Sequence, residues 1–106
     1  MAEYDVTGEW IAHQSNGFDV TFVIRPTDGD FTVLDVEASH SGDKAAGKGQ
    51  VSGDSFLVTV DWERGPVGRY TGTFGFDGRL SGATFDMANP SSQATWFSQQ
   101  KFEQRD

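Results

Sequence analysis

The sequence has no cysteine, which excludes disulfides, thiol catalysis and cysteine-ligated zinc. No apolar run approaches the roughly 18 residues that a membrane-spanning helix needs. Basic residues are scarce, with eight Lys and Arg against sixteen Asp and Glu, a formal net charge of −8. That balance argues against phosphate backbones and anionic membrane surfaces, so neither nucleic acid nor membrane is an expected partner. Its simplest consequence is solubility. No stretch sustains a 3.6-residue apolar period, which removes amphipathic helices from consideration. Catalytic and metal signals are equally thin. His13 and His40 are the only histidines, both fall at the ends of apolar runs, and no G-x-S-x-G elbow is present. Asp28-Gly29-Asp30 offers two carboxylates where calcium needs six to eight oxygens, so it reads as a turn. No cofactor, metal or catalytic residue is expected. Met1 to Asp5 does not resemble a signal peptide, which points to the cytoplasm or to a mature domain without its leader.

What is present is aromatic and glycine-rich. Nine Phe, three Trp and two Tyr accompany thirteen Gly in 106 residues, a length that suits one domain spanning 1–106. A chain of this size buries roughly two thirds of the surface it would expose unfolded, enough for one core. A few aromatic rings can fill much of that core, because each buries a large area.

Period-two alternation and turn residues divide the chain into eight runs: Val6–His13, Phe18–Arg25, Phe31–Ala38, Lys48–Ser52, Ser55–Glu63, Arg69–Phe76, Arg79–Asp86 and Ala94–Phe102. Asn16-Gly17 and Asp77-Gly78 are hairpin signals, and Pro26 to Asp30 breaks the second run from the third. Ser39–Gly47 and Met87–Gln93 read as polar loops, the latter holding Pro90, which cannot donate to a ladder. Most connections are two to five residues long, which joins antiparallel neighbours and leaves no room for crossover helices. Eight such strands keep two exposed edges unless the first pairs with the last. An all-β fold follows: an eight-stranded antiparallel up-and-down barrel, with a two-sheet sandwich as the alternative.

Several short segments resemble the avidin and streptavidin family, within the wider lipocalin-type calycins. Gly8-Glu9-Trp10 is similar to the G-x-W entry of those barrels, and Phe18 follows Trp10 at the family spacing. Val58-Thr59-Val60-Asp61-Trp62 resembles a T-V-x-W strand, Tyr70-Thr71-Gly72-Thr73-Phe74 an aromatic-x-G-x-aromatic strand, and Ala94-Thr95-Trp96 a late A-x-W segment. The resemblance implies that Trp62 and Trp96 flank a ligand. It puts Ala12 where the family has the Asn that binds the ureido oxygen of biotin. Asn16 falls at the loop Ser, Ser39 in the third-strand polar pair beside Glu37, and Thr84-Phe85 near a late Trp. Tight biotin binding is therefore not expected. In lipocalin-type barrels the first-strand Trp closes one end under a basic residue, which Lys101 or Arg105 would supply for Trp10.

A barrel of eight strands is just wide enough to be filled by side chains or to hold one small ligand. The inward set expected here is Phe18, Phe22, Phe56, Trp62, Tyr70, Phe74 and Phe76, with Gly72 and Gly82. Either these rings fill the interior or the glycines leave a pocket walled by Trp62 and Tyr70 at one mouth, with Asn16, Ser39 and Thr84 as polar groups. Asp35 and Glu37 are expected in water, because unpaired buried carboxylates are costly. Trp96 and Phe97 must point to opposite faces, so one aromatic faces outward as a partner surface or glycan platform. The leading expectation is a non-catalytic binding module for a small organic molecule or glycan. A protein-interaction module (a protease inhibitor or the subunit of a homo-oligomer) and a small barrel enzyme such as a cyclase are the alternatives.

Overall fold

Runs of alternating Val, Phe and Ile between glycine-bearing turns favour strands. The computed structural model describes residues 3–105 and contains ten strands, with no helix among the described residues. In chain order they are β1 (Glu3–Asp5), β2 (Gly8–Gln14), β3 (Asp19–Thr27), β4 (Asp30–His40), β5 (Asp43–Ser52), β6 (Ser55–Trp62), β7 (Val67–Phe74), β8 (Arg79–Asp86), β9 (Asn89–Lys101) and β10 (Glu103–Arg105). Strands β2 to β9 form a closed antiparallel up-and-down barrel. The first barrel strand meets the last through the pairs Ala12–Ser98, His13–Phe97 and Gln14–Trp96. Closure removes the free edges that a two-sheet sandwich would keep.

Two segments expected as loops are largely strand. Lys48–Ser52 extends back to Asp43, and only Ser41-Gly42 turns, with φ of +48° and +86°, the pair a two-residue mirror-image turn requires. The stretch Asp43-Lys-Ala-Ala-Gly-Lys-Gly49 has no bulky apolar residue to display alternation, so its strand character was hidden. Likewise β9 starts at Asn89. Residues 90–92 bulge between the pairs Asp86–Asn89 and Phe85–Gln93, which spares Pro90 a place in the ladder.

Up-and-down topology gives the barrel two distinct ends. At one end lie the connections β2–β3, β4–β5, β6–β7 and β8–β9; at the other lie β3–β4, β5–β6 and β7–β8 with both chain termini. The half towards the termini is filled. Trp10 meets Phe22, Phe56 and Phe102 at ring-centroid distances of 5.1, 5.9 and 5.0 Å, and Trp96 packs on Phe56 at 5.7 Å. Phe18 and Phe76, expected inside, are instead 50% and 105% exposed. Both lie beyond a strand end, where alternation no longer dictates which way a side chain points.

The terminal segments seal this end. Strands β1 and β10 pair as a ribbon, Tyr4 stacks on Phe74 at 4.0 Å, and Val6 and Phe102 are buried. Trp10 is closed off by this apolar plug rather than by a basic residue, and its Nε1–H donates to Val6 O at 3.0 Å. Arg105 lies 5.3 Å from the Phe31 ring and pairs with Asp5, so its cation is committed elsewhere.

Asp5 carries a testable pH signature. Burial works to raise its carboxyl, but hydrogen bonds from the Thr7 side chain, Arg105 and the Thr7 N–H, with the Arg105 charge, outweigh it and hold the group below the usual value. A carboxylate lowered on folding stabilises above its unfolded value and loses that contribution as pH falls through its folded one. Asp5→Asn is expected to be less stable than the parent at pH 7, with the gap closing below pH 3.8. Urea unfolding at both pH values checks this; a gap independent of pH would show that charge is not the cause.

Candidate functional site

The opposite end remains open. A cavity of about 300 Å³ opens there, and Trp62, Tyr70, Thr84 and Asn16 are among the residues that line it. This volume is at the lower end of the range for small-molecule sites. Tyr70 lies between the cavity and the filled half: its ring is 3% exposed, 5.1 Å from Phe22 and edge-on to Trp96 at 6.0 Å. The interior is thus neither wholly filled nor hollow.

Tyr70 anchors a chain of hydrogen bonds across the mouth. Its hydroxyl donates to Gln14 Oε1 at 2.6 Å, and Gln14 Nε2 donates to Asn16 Oδ1 at 3.2 Å. The same Asn16 oxygen accepts the Phe18 N–H at 3.2 Å, tying the chain to the β2–β3 turn. That turn spans three residues, with Gly17 at φ +89° and Gln14 and Phe18 closing it, rather than the two-residue turn Asn-Gly suggests. Burial pushes the Tyr70 phenol up to about 12, against a smaller lowering effect from the Thr84 hydroxyl. The phenol is therefore a neutral hydrogen-bonding group at physiological pH, not a base.

Trp62 forms part of the wall by lying over a glycine. A Cβ at Gly68 would stand 3.5 Å from Trp62 Nε1, an ordinary contact distance, so the indole lies directly over the glycine. Trp62 and Tyr70 are not direct cross-strand partners: Tyr70 opposes Val58, and the Trp62 N–H approaches Pro66 O. Opposite this wall, Phe18 packs on His40 at a centroid distance of 4.5 Å. His40 Nδ1 is 3.1 Å from Asp19 O. A carbonyl can only accept, so Nδ1 carries a proton in this contact.

Two expected residues stand elsewhere. Ser39 is on the outer face, in a shallow groove with Lys44 and Asp61, because inward positions on β4 are Leu34, Val36 and Ala38. Trp96 faces inward below Tyr70, at 2% exposure, while Phe97 is the outward member at 48%. The Trp96 Nε1–H is shared between Thr71 O and Ala83 O, both at 3.1 Å, and has no donor left for a ligand. Asp35 and Glu37 face outward beside Lys48 and Arg25.

Gln14, His40, Asp43, Asp86 and Gly68 also line the cavity and were not singled out from sequence. For Gln14, His40 and Asp86 the signal was parity. Each continues its strand's inward face one step past the last buried residue, at Ala12, Ala38 and Thr84. Among the described residues no group of three His, Asp or Glu side chains is placed to hold a metal ion.

The closed eight-stranded up-and-down barrel is compatible with a calycin-like fold. Comparison with protein-family models, curated proteins and solved structures finds no match.

Proposed function

We propose that this chain is a non-catalytic binding module that takes a small organic molecule into the open mouth of its barrel. The observation that carries this reading is the contrast between the two ends. One is plugged by Val6, Tyr4 and Phe102, while the other holds an aromatic-walled cavity spanned by the Tyr70–Gln14–Asn16 hydrogen bonds. Apolar walls with a few fixed polar groups are the common anatomy of small-ligand sites. Pre-formed polar groups also spare a ligand the entropy of ordering them. The avidin resemblance supports the same end of the barrel through Trp62. It does not extend to biotin, since Ala12 has no group for the ureido oxygen and Ser39 is not at the mouth.

Gly68→Leu tests the reading. The backbone at Gly68 is not in the left-handed region and its Cβ position meets only ordinary contacts, so a side chain fits there without backbone strain and a leucine would extend into the cavity. A fragment screen by protein-observed NMR is expected to give wild-type ligands that shift the Trp62 indole signal. Affinity should then fall at least about tenfold in Gly68→Leu, as loss of buried contact area would produce. Ligands that bind Gly68→Leu as well as wild type would place the site outside the barrel and refute the proposal.

A further inference from the structure

The charge and hydrogen-bonding inventory of the mouth is one-sided. Asp43 and Asp86 line the cavity, and no Lys or Arg does. The two carboxylates sit on β5 and β8, three strands apart in a ring of eight, so they approach the mouth from different sides. Neither takes part in an ion pair among the described residues. Asp43 Oδ1 accepts the Lys44 N–H at 3.0 Å and Asp86 Oδ1 the Ala88 N–H at 2.8 Å, leaving Oδ2 of each without a protein donor among the described residues. The exposed cations nearest in sequence, Lys44 to Asp43 and Arg79 to Asp86, are not part of the cavity lining.

Three of the donors at the mouth are used within the protein. The Tyr70 hydroxyl is given to Gln14, Gln14 Nε2 to Asn16, and Gln93 Nε2 to Pro90 O at 2.8 Å. The two Oδ2 atoms remain as acceptors, while Trp62 Nε1–H and Asn16 Nδ2 make no hydrogen bond among the described residues. A ligand that satisfies the two Oδ2 atoms must bring hydrogen-bond donors, and a cationic donor gives the stronger bond. Phe18, Trp62 and Phe85 add aromatic surface, which favours a cation over an anion at close range. At longer range the net charge of −8 attracts cations and repels anions.

From these observations we infer that the mouth selects an organic cation, an amine or guanidinium borne on a compact apolar body. The inference rests on the binding reading above and specifies the ligand's chemical class. A carboxylate ligand would meet two carboxylates and no Lys or Arg.

Three matched probes separate the possibilities: 2-phenylethylamine, 2-phenylethanol and 3-phenylpropanoate, titrated into the full chain at neutral pH and low salt. The amine is expected to bind at least about tenfold more tightly than the alcohol, and the carboxylate most weakly. The isosteric pair Asp43→Asn/Asp86→Asn should bring the amine down to the alcohol's affinity. Asp28→Asn/Asp54→Asn, in turns at the plugged end, should leave it unchanged. Gly68→Leu should abolish all binding. If amine and alcohol bind alike and Gly68→Leu blocks both, the cation inference falls and the cavity reading stands. If the amine ignores Gly68→Leu, or loses as much with the Asp28/Asp54 pair, the attraction is diffuse and both readings fall. They also fall if none of the three probes perturbs the protein at millimolar concentration.

Discussion

Trp96→Ala is expected to lower the unfolding free energy by about 3–5 kcal/mol, the usual cost of removing a buried indole. The ring is 2% exposed and touches Trp10, Phe56 and Tyr70 at centroid distances of 6.2, 5.7 and 6.0 Å. Little can move in to refill its space, because Gly72 and Gly82 face each other across β7 and β8 beside it. A Cβ at Gly72 would stand only 2.9 Å from Trp96 Cζ2, so the absence of a side chain there is matched to the indole. Removal also takes the N–H from two carbonyls, Thr71 O and Ala83 O. A loss of this size is a large part of the ~5–15 kcal/mol that holds an ordinary domain together, so Trp96→Phe is the companion variant. It keeps a ring, loses the hydrogen bonds and should cost about 1–3 kcal/mol. Denaturant titration of both variants measures these values. A Trp96→Ala protein as stable as the parent would mean that the ring is not packed between Trp10 and Tyr70.

The fold was legible because its strands announce themselves through alternation. Val20, Phe22 and Ile24 on β3, and Phe56, Val58 and Val60 on β6, are all buried, while Thr21, Val23, Leu57 and Thr59 between them are partly exposed. Closure followed from short connections and from the need to satisfy edge strands. Strand β5 was half missed, since alanine, glycine and lysine carry no face, and burial there is decided by neighbours rather than by its own side chains. The ribbon of β1 and β10 was missed for a different reason. Three-residue strands at opposite ends of a chain have no local pattern, and their pairing depends on the barrel bringing them together.

The candidate site was legible at Trp62, Tyr70, Asn16 and Thr84, all of which line the cavity. Trp62 and Tyr70 stood out as large rings near a turn, and their strands put both at the mouth. Ser39 was assigned to that mouth by resemblance alone; counting alternation along β4 from Leu34 sends it outward and His40 inward. The carboxylates Asp43 and Asp86 were invisible among sixteen acidic residues, because a charge declares its role only through what it faces. Composition showed the excess of negative charge, but not that two unpaired carboxylates border the cavity.

Phe102→Ala is expected to cost about 3–5 kcal/mol and to open the plugged end while sparing the mouth. Phe102 is 6% exposed, with its ring 5.0 Å from Trp10 and 6.1 Å from Phe74, both in edge-on contact. It stands between β9 and β10, and its N–H donates to Gly78 O at 2.8 Å, so burying this one ring also sets where β10 begins. Truncation would loosen the pairs Glu3–Arg105, Tyr4–Gln104 and Asp5–Glu103 and expose the Trp10 indole to solvent. Arg105→Ala removes an exposed partner of the same ribbon and should cost no more than about 1 kcal/mol, as most surface ion pairs do. Denaturation gives the two costs, and iodide quenching of tryptophan fluorescence should rise in Phe102→Ala but not in Arg105→Ala. The cavity lies at the far end of the barrel from Phe102, with the Trp10, Phe22, Phe56 and Trp96 rings between. Any ligand of the mouth should therefore bind folded Phe102→Ala with unchanged affinity. Weakened binding with the fold intact would show that the two ends are coupled through the aromatic core.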